Sequence, residues 1–417
     1  MVFHFGAFET ASIVVVAAAT ASYLNHVTFK MPQTIALTLT GAVASLVVAV
    51  SDLMFPEAHL GRTIGGFMEN IDFKTALLNV MLSFLLFAGA LHIDLREVRR
   101  GAWPIAILST VGVILSTVVV AAGFKGLTLV FGVNVPMIWC LVFGALISPT
   151  DPVAVIALLH KSAAPKLLKT TVATESLFND GIAVVVFSIL LGAAVSGRLI
   201  GPLEGLTLFA REALGGAALG VALGLVGFVL MRSIVDYVTE VLITVALVMG
   251  GYTLAVPLGV SGPVAMAVAG LIIGNYGVSA AMTEINGDHL FKFWDLIDHI
   301  LNAALFLLIG LQGIALFGEP ALWEIGAASI ALVLFARAAS IAPTLLAWRH
   351  LLVFRQAFPL LAWGGLRGGI CIAMALSLPS SPIRDVVLVA TYVVVMFSVI
   401  VQGTTMESLI RRVAPPL

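Results

Sequence analysis

The residues best suited to chemistry lie in one apolar run, Lys169–Leu191, which carries two acids, an amide and a hydroxyl near its centre. A run of this length crosses a bilayer as a helix. At ~1.5 Å per residue, Asp180 lies roughly 16 Å from the start, near the midplane of a ~30 Å hydrocarbon core. Ser176 and Asp180 are four residues apart, so they share one helix face, and Glu175 shares another with Asn179.

Charged groups at this depth cost a few kcal/mol each on insertion scales, so they need a function or a partner. An interhelical polar clamp is one interpretation of these four side chains. The sequence favours the other, an ion or proton site that faces a cavity within the membrane.

A second candidate lies in an interrupted span, at Ser-Pro-Thr-Asp-Pro in residues 148–152. Proline in a helix interior removes the hydrogen bond to the carbonyl four residues earlier, so Pro149 and Pro152 predict a break. Such a break exposes backbone carbonyls, that of Thr150 among them, and is tolerated only where it lines a cavity or is buried in protein. A simple proline kink is the alternative, and Asp151 between the prolines favours the break.

A matching irregularity, Gly-Gly-Leu-Arg-Gly-Gly, lies at residues 364–369 of a later span. Glycines such as Gly365 and Gly368 weaken a helix and allow close backbone approach. Arg367 at this break and Asp151 at the other could compensate the half-helix dipoles that the breaks interrupt. Two broken segments in corresponding places of two halves indicate a transport site.

A further buried cation, Arg337, lies near the middle of its own span. Arginine stays protonated, so at the midplane it needs an anion. Glu175 is the predicted partner, which would leave Asp180 free to titrate, and Asp151 is the alternative. For Arg367, both a backbone carbonyl and Asp151 remain open as partners.

The composition assigns the chain to the membrane. Of its 417 residues, 60% are hydrophobic and only 10% are charged, against about 25% charged in soluble domains. The net charge of −1 argues against a nucleic-acid surface. Cys140 and Cys371 both lie in apolar runs and are interpreted as small packing residues.

Hydropathy predicts about thirteen spans. They run near 8–27, 33–53, 74–93, 102–122, 135–159, 169–191, 205–231, 236–256, 262–278, 289–315, 323–348, 358–378 and 384–409. The residues between Pro56 and Phe73 could hold a small interfacial helix.

With the N-terminus outside and the C-terminus cytoplasmic, 13 of the 21 Lys and Arg lie on the inner side and 6 on the outer side, the other two being within spans. The positive-inside rule therefore favours this orientation. It gives spans one to six and eight to thirteen opposite directions, as in an inverted-repeat transporter.

One motif suggests an enzyme instead. Gly-Val-Ser-Gly at 259–262 resembles the GxSG of rhomboid-type intramembrane proteases, whose serine needs a histidine base on another span. A helix start is favoured, with Ser261 as its cap and Pro263 soon after. The sequence thus predicts a transporter and no enzyme or cofactor. The remaining polar candidates are interpreted as solvated helix ends: Asp94, Asp295, Asp298 and His299.

Together these motifs resemble the bacterial NhaP-type sodium/proton antiporters, relatives of the animal sodium/proton exchangers. The resemblance rests on residues 148–152, Glu-Ser-Leu-Phe-Asn-Asp-Gly at 175–181, Arg337 and residues 364–369, in the expected order. It extends over essentially the whole chain, including residues 294–310 with Asn302. Each motif alone is moderately specific, and four in order on the right spans are strong.

The resemblance implies an all-α polytopic membrane fold of about thirteen helices, with two inverted six-helix repeats and crossed broken helices. It implies a dimerisation part near 8–93 and 236–315, a core or transport part near 102–191 and 323–410, and a linker helix near 205–231. A homodimer in the cell inner membrane is also implied, with H+ and Na+, or Li+ or K+, as substrates.

For the site, the resemblance implies that Asp180, Ser176 and the backbone around Thr150 bind the transported cation. Asn179 would support the site beside Asp151. An Asn-Asp pair is typical of the electroneutral branch of the family.

The resemblance also implies an ion pair between Glu175 and Arg337, and support of the broken helices by Pro149, Pro152, Gly365, Arg367 and Gly368. One position departs from the family pattern. Some members carry an acid after Leu-Leu-Phe, where this chain has Ala88, so that acid is no ligand here.

The predicted mechanism is a competition. A small cation needs several oxygen ligands, and burial disfavours the charged carboxylate, so a cation and a proton would compete for Asp180. Electroneutral one-for-one Na+/H+ antiport by alternating access follows. The alternatives are a K+/H+ antiporter of the same superfamily and a cation channel, which would ordinarily show a filter sequence or pore-lining rings that the sequence lacks.

Overall fold

The computed structural model describes residues 7–55, 80–160, 162, 164–198, 200–278, 282, 284–313, 320–348 and 354–413. Across these ranges the chain is helical, and nine helices are long and apolar enough to cross a membrane. The all-α polytopic class predicted from the sequence is confirmed.

The described residues of the first half form nine α-helices. They are α1 (Ala7–Leu24), α2 (Gln33–Met54), α3 (Leu82–Leu91), α4 (Leu95–Arg100), α5 (Ala102–Ser109), α6 (Val111–Val130), α7 (Met137–Ile147), α8 (Val153–His160) and α9 (Lys166–Ser196).

In the second half, the part of the chain that the structure describes forms nine more. They are α10 (Pro202–Arg232), α11 (Tyr237–Leu258), α12 (Gly262–Ile272), α13 (Glu284–Leu311), α14 (Pro320–Ala347), α15 (Phe354–Trp363), α16 (Gly369–Leu376), α17 (Pro382–Phe397) and α18 (Gly403–Val413). Single π-turns extend α1, α12 and α17.

The predicted spans all find a counterpart among these helices. Nine of the spans correspond to long apolar helices, some of them made of two consecutive helices. Two more correspond to the shorter helices α3 and α12, and the last two correspond to the interrupted pairs α7–α8 and α15–α16. The boundaries differ in places. Helix α13 begins at Glu284 instead of residue 289, which places its acidic residues well inside the helix.

Several expectations fall outside the described residues. The suggested interfacial helix between Pro56 and Phe73 lies there, as does the start of the third predicted span. Four of the basic residues counted for orientation lie there as well: Arg62, Lys74, Lys161 and Arg349.

The two predicted breaks are present, and they touch each other. Helix α7 ends at Ile147 and α8 starts at Val153, while α15 ends at Trp363 and α16 starts at Gly369. The backbone N–H of Asp151 donates to the Leu366 carbonyl at 2.7 Å. The unwound residues of one helix pair therefore satisfy backbone hydrogen-bonding groups of the other. Irregular backbone is tolerated at membrane depth when it is buried in protein in this way.

Small residues allow the long helices to approach closely. Helix α2 crosses α13 at Gly41 and Gly310, where a Cβ on Gly41 would lie 2.9 Å from the Gly310 Cα. This is the close packing that membrane helices use in place of a hydrophobic driving force. By contrast, one side of α10 exposes large apolar residues, as a lipid-facing surface does: Leu206, Leu214, Leu225 and Val229.

Candidate ion-binding site

Helix α9 carries the four polar side chains on which the sequence analysis began. It starts after Pro165 and ends at Gly197, whose φ of 66° stops the helix. Glu175, Ser176, Asn179 and Asp180 are all buried in its middle. The helix thus holds four polar groups away from lipid, which is tolerable only if each finds a partner or faces water.

The break between α7 and α8 lies directly against this face of α9. The Ser176 hydroxyl donates to the Thr150 carbonyl, and the Thr150 hydroxyl lies 3.3 Å from Ser176 Oγ. The Asn179 amide donates to Thr150 Oγ1 at 3.3 Å and to Glu175 Oε1 at 3.2 Å. Asn179 therefore links the unwound segment to the ionised side of the helix.

Glu175 and Arg337 form a bidentate ion pair. Arg337 Nη1 and Nη2 donate to the two Glu175 carboxylate oxygens at 2.8 and 3.1 Å. Arg337 Nε donates to the Leu361 carbonyl at 3.1 Å, near the end of α15. The side chains are only 2% and 7% exposed, so water does little to screen the pair.

Arg367 takes backbone carbonyls as partners. Its Nη1 donates to the carbonyls of Ser148 and Pro149, in the break between α7 and α8. The Arg367 backbone N–H donates to Ser398 Oγ at 2.7 Å. The sequence left a backbone carbonyl and Asp151 open as partners of Arg367, and the structure shows backbone carbonyls in this role. The guanidinium caps the C-terminal end of α7, where its charge also suits the helix dipole.

Asp151 lies against the second break. A Cβ added to Gly368 would lie 2.5 Å from Asp151 Oδ2, so only glycine fits beside this carboxylate. Gly365 is restricted in the same way, because its Cβ would lie 2.6 Å from Arg337 Nε. Pro149 and Pro152 flank the unwound residues, and their missing N–H groups keep the two half-helices apart.

Asp180 is the acid that this network does not neutralise directly. Its residue is 7% exposed, and Oδ1 has no hydrogen-bond partner in the described part of the chain. The charged groups that act on its carboxylate are those of Asp151, Glu175 and Arg367. Counting Arg337 as well, three acids face two arginines, so the cluster carries one net negative charge when all are ionised.

A cavity of about 520 Å³ reaches Asp180 from the end of the bundle where α9 begins. Thr150 and Asp151 line it beside Asp180, and Ala173 and Leu177 line it on α9. The cavity is large enough to admit water and hydrated ions to the unpartnered carboxylate oxygen.

The mouth of this cavity corrects one interpretation of the sequence. Asp295, Asp298 and His299 were expected to be solvated helix ends. The side chains of Asp295 and His299 are solvent-exposed, at 57% and 69%, but all three residues lie inside α13 and line the same cavity. His92 Nε2 lies 3.2 Å from Asp295 Oδ1 across the opening. The sequence signal was their spacing of three and four residues, which puts them on one helix face.

Asp94 matches its predicted place at a solvated helix end. It caps α4 by accepting from the Arg96 backbone N–H at 2.9 Å, and Lys166 Nζ lies 3.2 Å from its other oxygen. These hydrogen bonds hold the pKa of Asp94 below its ordinary value. The predicted cap of α12 is also confirmed, because Ser261 Oγ accepts from the Val264 N–H at 3.3 Å.

The described residues offer no cluster of three His, Cys, Asp or Glu side chains for a resident metal. Cys140 and Cys371 are buried free thiols. The chemistry available at the site is therefore that of carboxylate, hydroxyl, amide and carbonyl oxygens, the ligands of hard cations.

The family described as "Sodium/hydrogen exchanger, transmembrane" matches residues 14–412 of this chain. The chain belongs to this exchanger family. Among its relatives, the Na(+)/H(+) antiporter NhaP of Pseudomonas aeruginosa is 45% identical over 403 residues, with 94% of this chain and 93% of that protein covered. The Na(+)/H(+) antiporter NhaH of Halobacillus dabanensis is 34% identical over 390 residues, with 92% of each covered.

The exchanger fold is also found in a solved structure, that of the sodium proton antiporter MjNhaP1 from Methanocaldococcus jannaschii at pH 8. It covers 97% of this chain and 98% of that one, with a TM-score of 0.74 at 18% sequence identity. The arrangement of the helices is therefore shared, although few of the side chains are.

This member of the exchanger family has a methyl group where some relatives are expected to carry an acid. Ala88 is buried on α3 and lines the cavity that reaches Asp180. No oxygen ligand therefore comes from this position of α3.

Proposed function

We propose that this protein is a secondary antiporter that exchanges Na+ for H+ across the membrane, with Asp180 as the residue that binds both. The observation that carries the proposal is the Asp180 carboxylate itself. It is buried, it lines a cavity large enough to admit water and ions, and one of its oxygens lacks a partner within the described residues. The relatives named as Na(+)/H(+) antiporters support Na+ as the first ion to test.

The cation ligands would be oxygens that already surround Asp180. Ser176 Oγ and the Thr150 hydroxyl and carbonyl lie together at the break, with Asn179 holding the Thr150 hydroxyl in place. In the structure the Ser176 hydroxyl donates its hydrogen bond to the Thr150 carbonyl. Cation binding would break this hydrogen bond, because both oxygens would then face the cation. A hard monovalent cation would replace that hydrogen bond with direct coordination to oxygen.

Exchange follows because the same carboxylate cannot hold a cation and a proton at once. Glu175 is neutralised by Arg337, and the charge of Asp151 is balanced by that of Arg367, so Asp180 carries the remaining negative charge. A proton or a monovalent cation on Asp180 then brings the cluster to zero net charge. Electroneutral one-for-one exchange is the consequence, because both loaded forms cross with the same charge.

The broken helices suit alternating access. We propose that the core, approximately 102–191 and 323–410, moves against a dimerisation scaffold of approximately 8–93 and 236–315, joined by the linker helix near 205–231. The protein would be a homodimer in the inner membrane, with its N-terminus outside and its C-terminus in the cytoplasm. The cavity that reaches Asp180 would then open to the cytoplasm.

The test is purified protein in proteoliposomes with a pH gradient and a trapped pH-sensitive dye. Na+, Li+ and K+ are added in turn, with choline as the control cation. Proton movement that saturates with Na+ would support the proposal. Saturation with K+ alone would favour a K+/H+ antiporter, while a large current that does not saturate would favour a channel.

A further inference from the structure

A second cavity lies on the other half of α9 from the one that reaches Asp180. Its volume is about 450 Å³, and it is lined on α9 by residues from Val184 to Val195. Asp180 lines the first cavity and Val184, one turn later, lines the second. The two cavities therefore follow each other along one helix toward opposite ends of the bundle.

A thin apolar barrier separates the two cavities along α9. Gly181 packs on Val264 of α12, where an added Cβ would lie 3.1 Å from Val264 Cγ2. Ala183, on the same turn, is fully buried. Gly181 therefore allows α9 to approach α12 closely at this level.

Among the described residues, one charged side chain, that of Glu212 on α10, lines the second cavity. It lies ten residues into the spanning helix, roughly 15 Å from the start. The remaining lining is apolar apart from hydroxyl groups, among them Tyr252 and Ser188. An ionisable residue within a spanning helix that faces a cavity marks an ion pathway by default.

The backbone of Glu212 is held in place, while its carboxylate has no hydrogen-bond or ion-pair partner among the described residues. The Glu212 carbonyl accepts from the Ser261 N–H at 3.0 Å, which fixes α10 against the start of α12. Its carboxylate forms no hydrogen bond or ion pair with any residue that the structure describes. The neighbouring Arg211 donates to the Leu258 carbonyl at 3.3 Å, and its charge acts on the Glu212 carboxylate without a direct contact.

We infer that Glu212 is a second cation-binding residue, which gathers the monovalent cation in the cavity at the outer end of the bundle before it reaches Asp180. A fixed negative charge in a cavity with low-dielectric walls concentrates cations there. The inference rests on the proposed function, and it adds a residue on the linker helix, outside the cluster around Asp180.

The test compares the two membrane faces. Na+-dependent proton flux is measured in right-side-out vesicles, where added Na+ meets the outer face, and in everted vesicles, where it meets the inner face. For Glu212→Gln we expect the apparent KM for Na+ to rise about tenfold at the outer face and to stay within twofold at the inner face. Glu212→Asp, which keeps the charge, should restore most of the outer-face affinity.

Glu204→Gln is the matched control, because Glu204 lies on the same helix but is paired at the surface with Arg198, at 3.0 Å. It should leave both KM values unchanged. An unchanged outer-face KM in Glu212→Gln would overturn the inference, and so would an equal rise at both faces or a rise at the inner face alone. Absence of Na+-dependent flux in the wild-type protein would instead refute the proposed function, and the role of Glu212 with it.

Discussion

Arg337 binds Glu175 through both of its terminal nitrogens, at 2.8 and 3.1 Å, and so joins α14 to α9 in the middle of the bundle. Its third nitrogen binds the end of α15. The pair holds the helix that carries Asp180 against the second broken helix. Because Arg337 neutralises Glu175, the Glu175 carboxylate is not available to bind the transported ion.

The first prediction concerns this pair. Glu175→Gln and Arg337→Gln should each lower the melting temperature in detergent, because removing one partner of a buried pair costs roughly 3–5 kcal/mol. The double variant should recover part of the loss, since no charge is then left unpaired. Additive losses in the double variant would show that the two side chains act independently.

The control for that cycle is an arginine–glutamate pair at the surface. Arg411 Nη2 lies 2.7 Å from Glu407 Oε1 on α18, and both side chains are more than half exposed. Surface pairs contribute about 0–1 kcal/mol, so Glu407→Gln should barely change the melting temperature.

A second prediction concerns Asp180. Asp180→Asn should abolish Na+/H+ exchange while the protein still folds and inserts, because an amide cannot alternate between a proton and a cation. Exchange is measured by Na+-induced proton flux in proteoliposomes. The matched control is Asp288→Asn, at an exposed residue that pairs with Lys292 at 2.6 Å. Robust Na+-dependent flux in Asp180→Asn would remove Asp180 from the mechanism.

A third prediction concerns the hydroxyl ligand. Ser176→Ala should preserve exchange but raise the apparent KM for Na+ by about threefold to tenfold, the equivalent of one neutral ligand at about 0.5–1.5 kcal/mol. Ser196→Ala, at the exposed end of the same helix, should leave the KM unchanged. If both variants retain the wild-type KM, Ser176 does not coordinate the cation.

A fourth prediction concerns the second break. Gly368→Ala should reduce the maximal exchange rate, because the new methyl group would displace the Asp151 carboxylate that lies 2.5 Å from its position. Gly250→Ala is the control, since nothing lies within 4 Å of a Cβ at that helical position. Wild-type rates in both variants would indicate that Asp151 can move without consequence.

The fifth prediction concerns stoichiometry. If the cluster carries one net negative charge, exchange should be one for one and insensitive to membrane potential. The potential would otherwise contribute ~2.3 kcal/mol per charge for each 100 mV. The measurement is Na+-driven pH change in proteoliposomes under valinomycin diffusion potentials of either sign. Acceleration by one sign and slowing by the other would mean that a second charge moves.

Much about this protein was determined by the sequence alone. Long apolar runs must become helices in lipid, because no other backbone there satisfies its own hydrogen bonds, so the spans follow from composition. The breaks followed from Pro149, Pro152 and the glycines near Arg367, since these residues cannot sustain a regular helix. The grouping of Glu175 with Asn179, and of Ser176 with Asp180, followed from helical spacing.

The tertiary structure decided what the chain order could not. The sequence predicted Glu175 as the partner of Arg337 but left Asp151 open, and the packing of α14 on α9 and α15 is what brings Glu175 within reach. The same holds for Asp298 at one cavity and Glu212 at the other. Local sequence patterns predict the helix face on which a side chain lies. Which other helix packs against that face depends on contacts between residues far apart in the chain, and the local pattern does not contain these contacts.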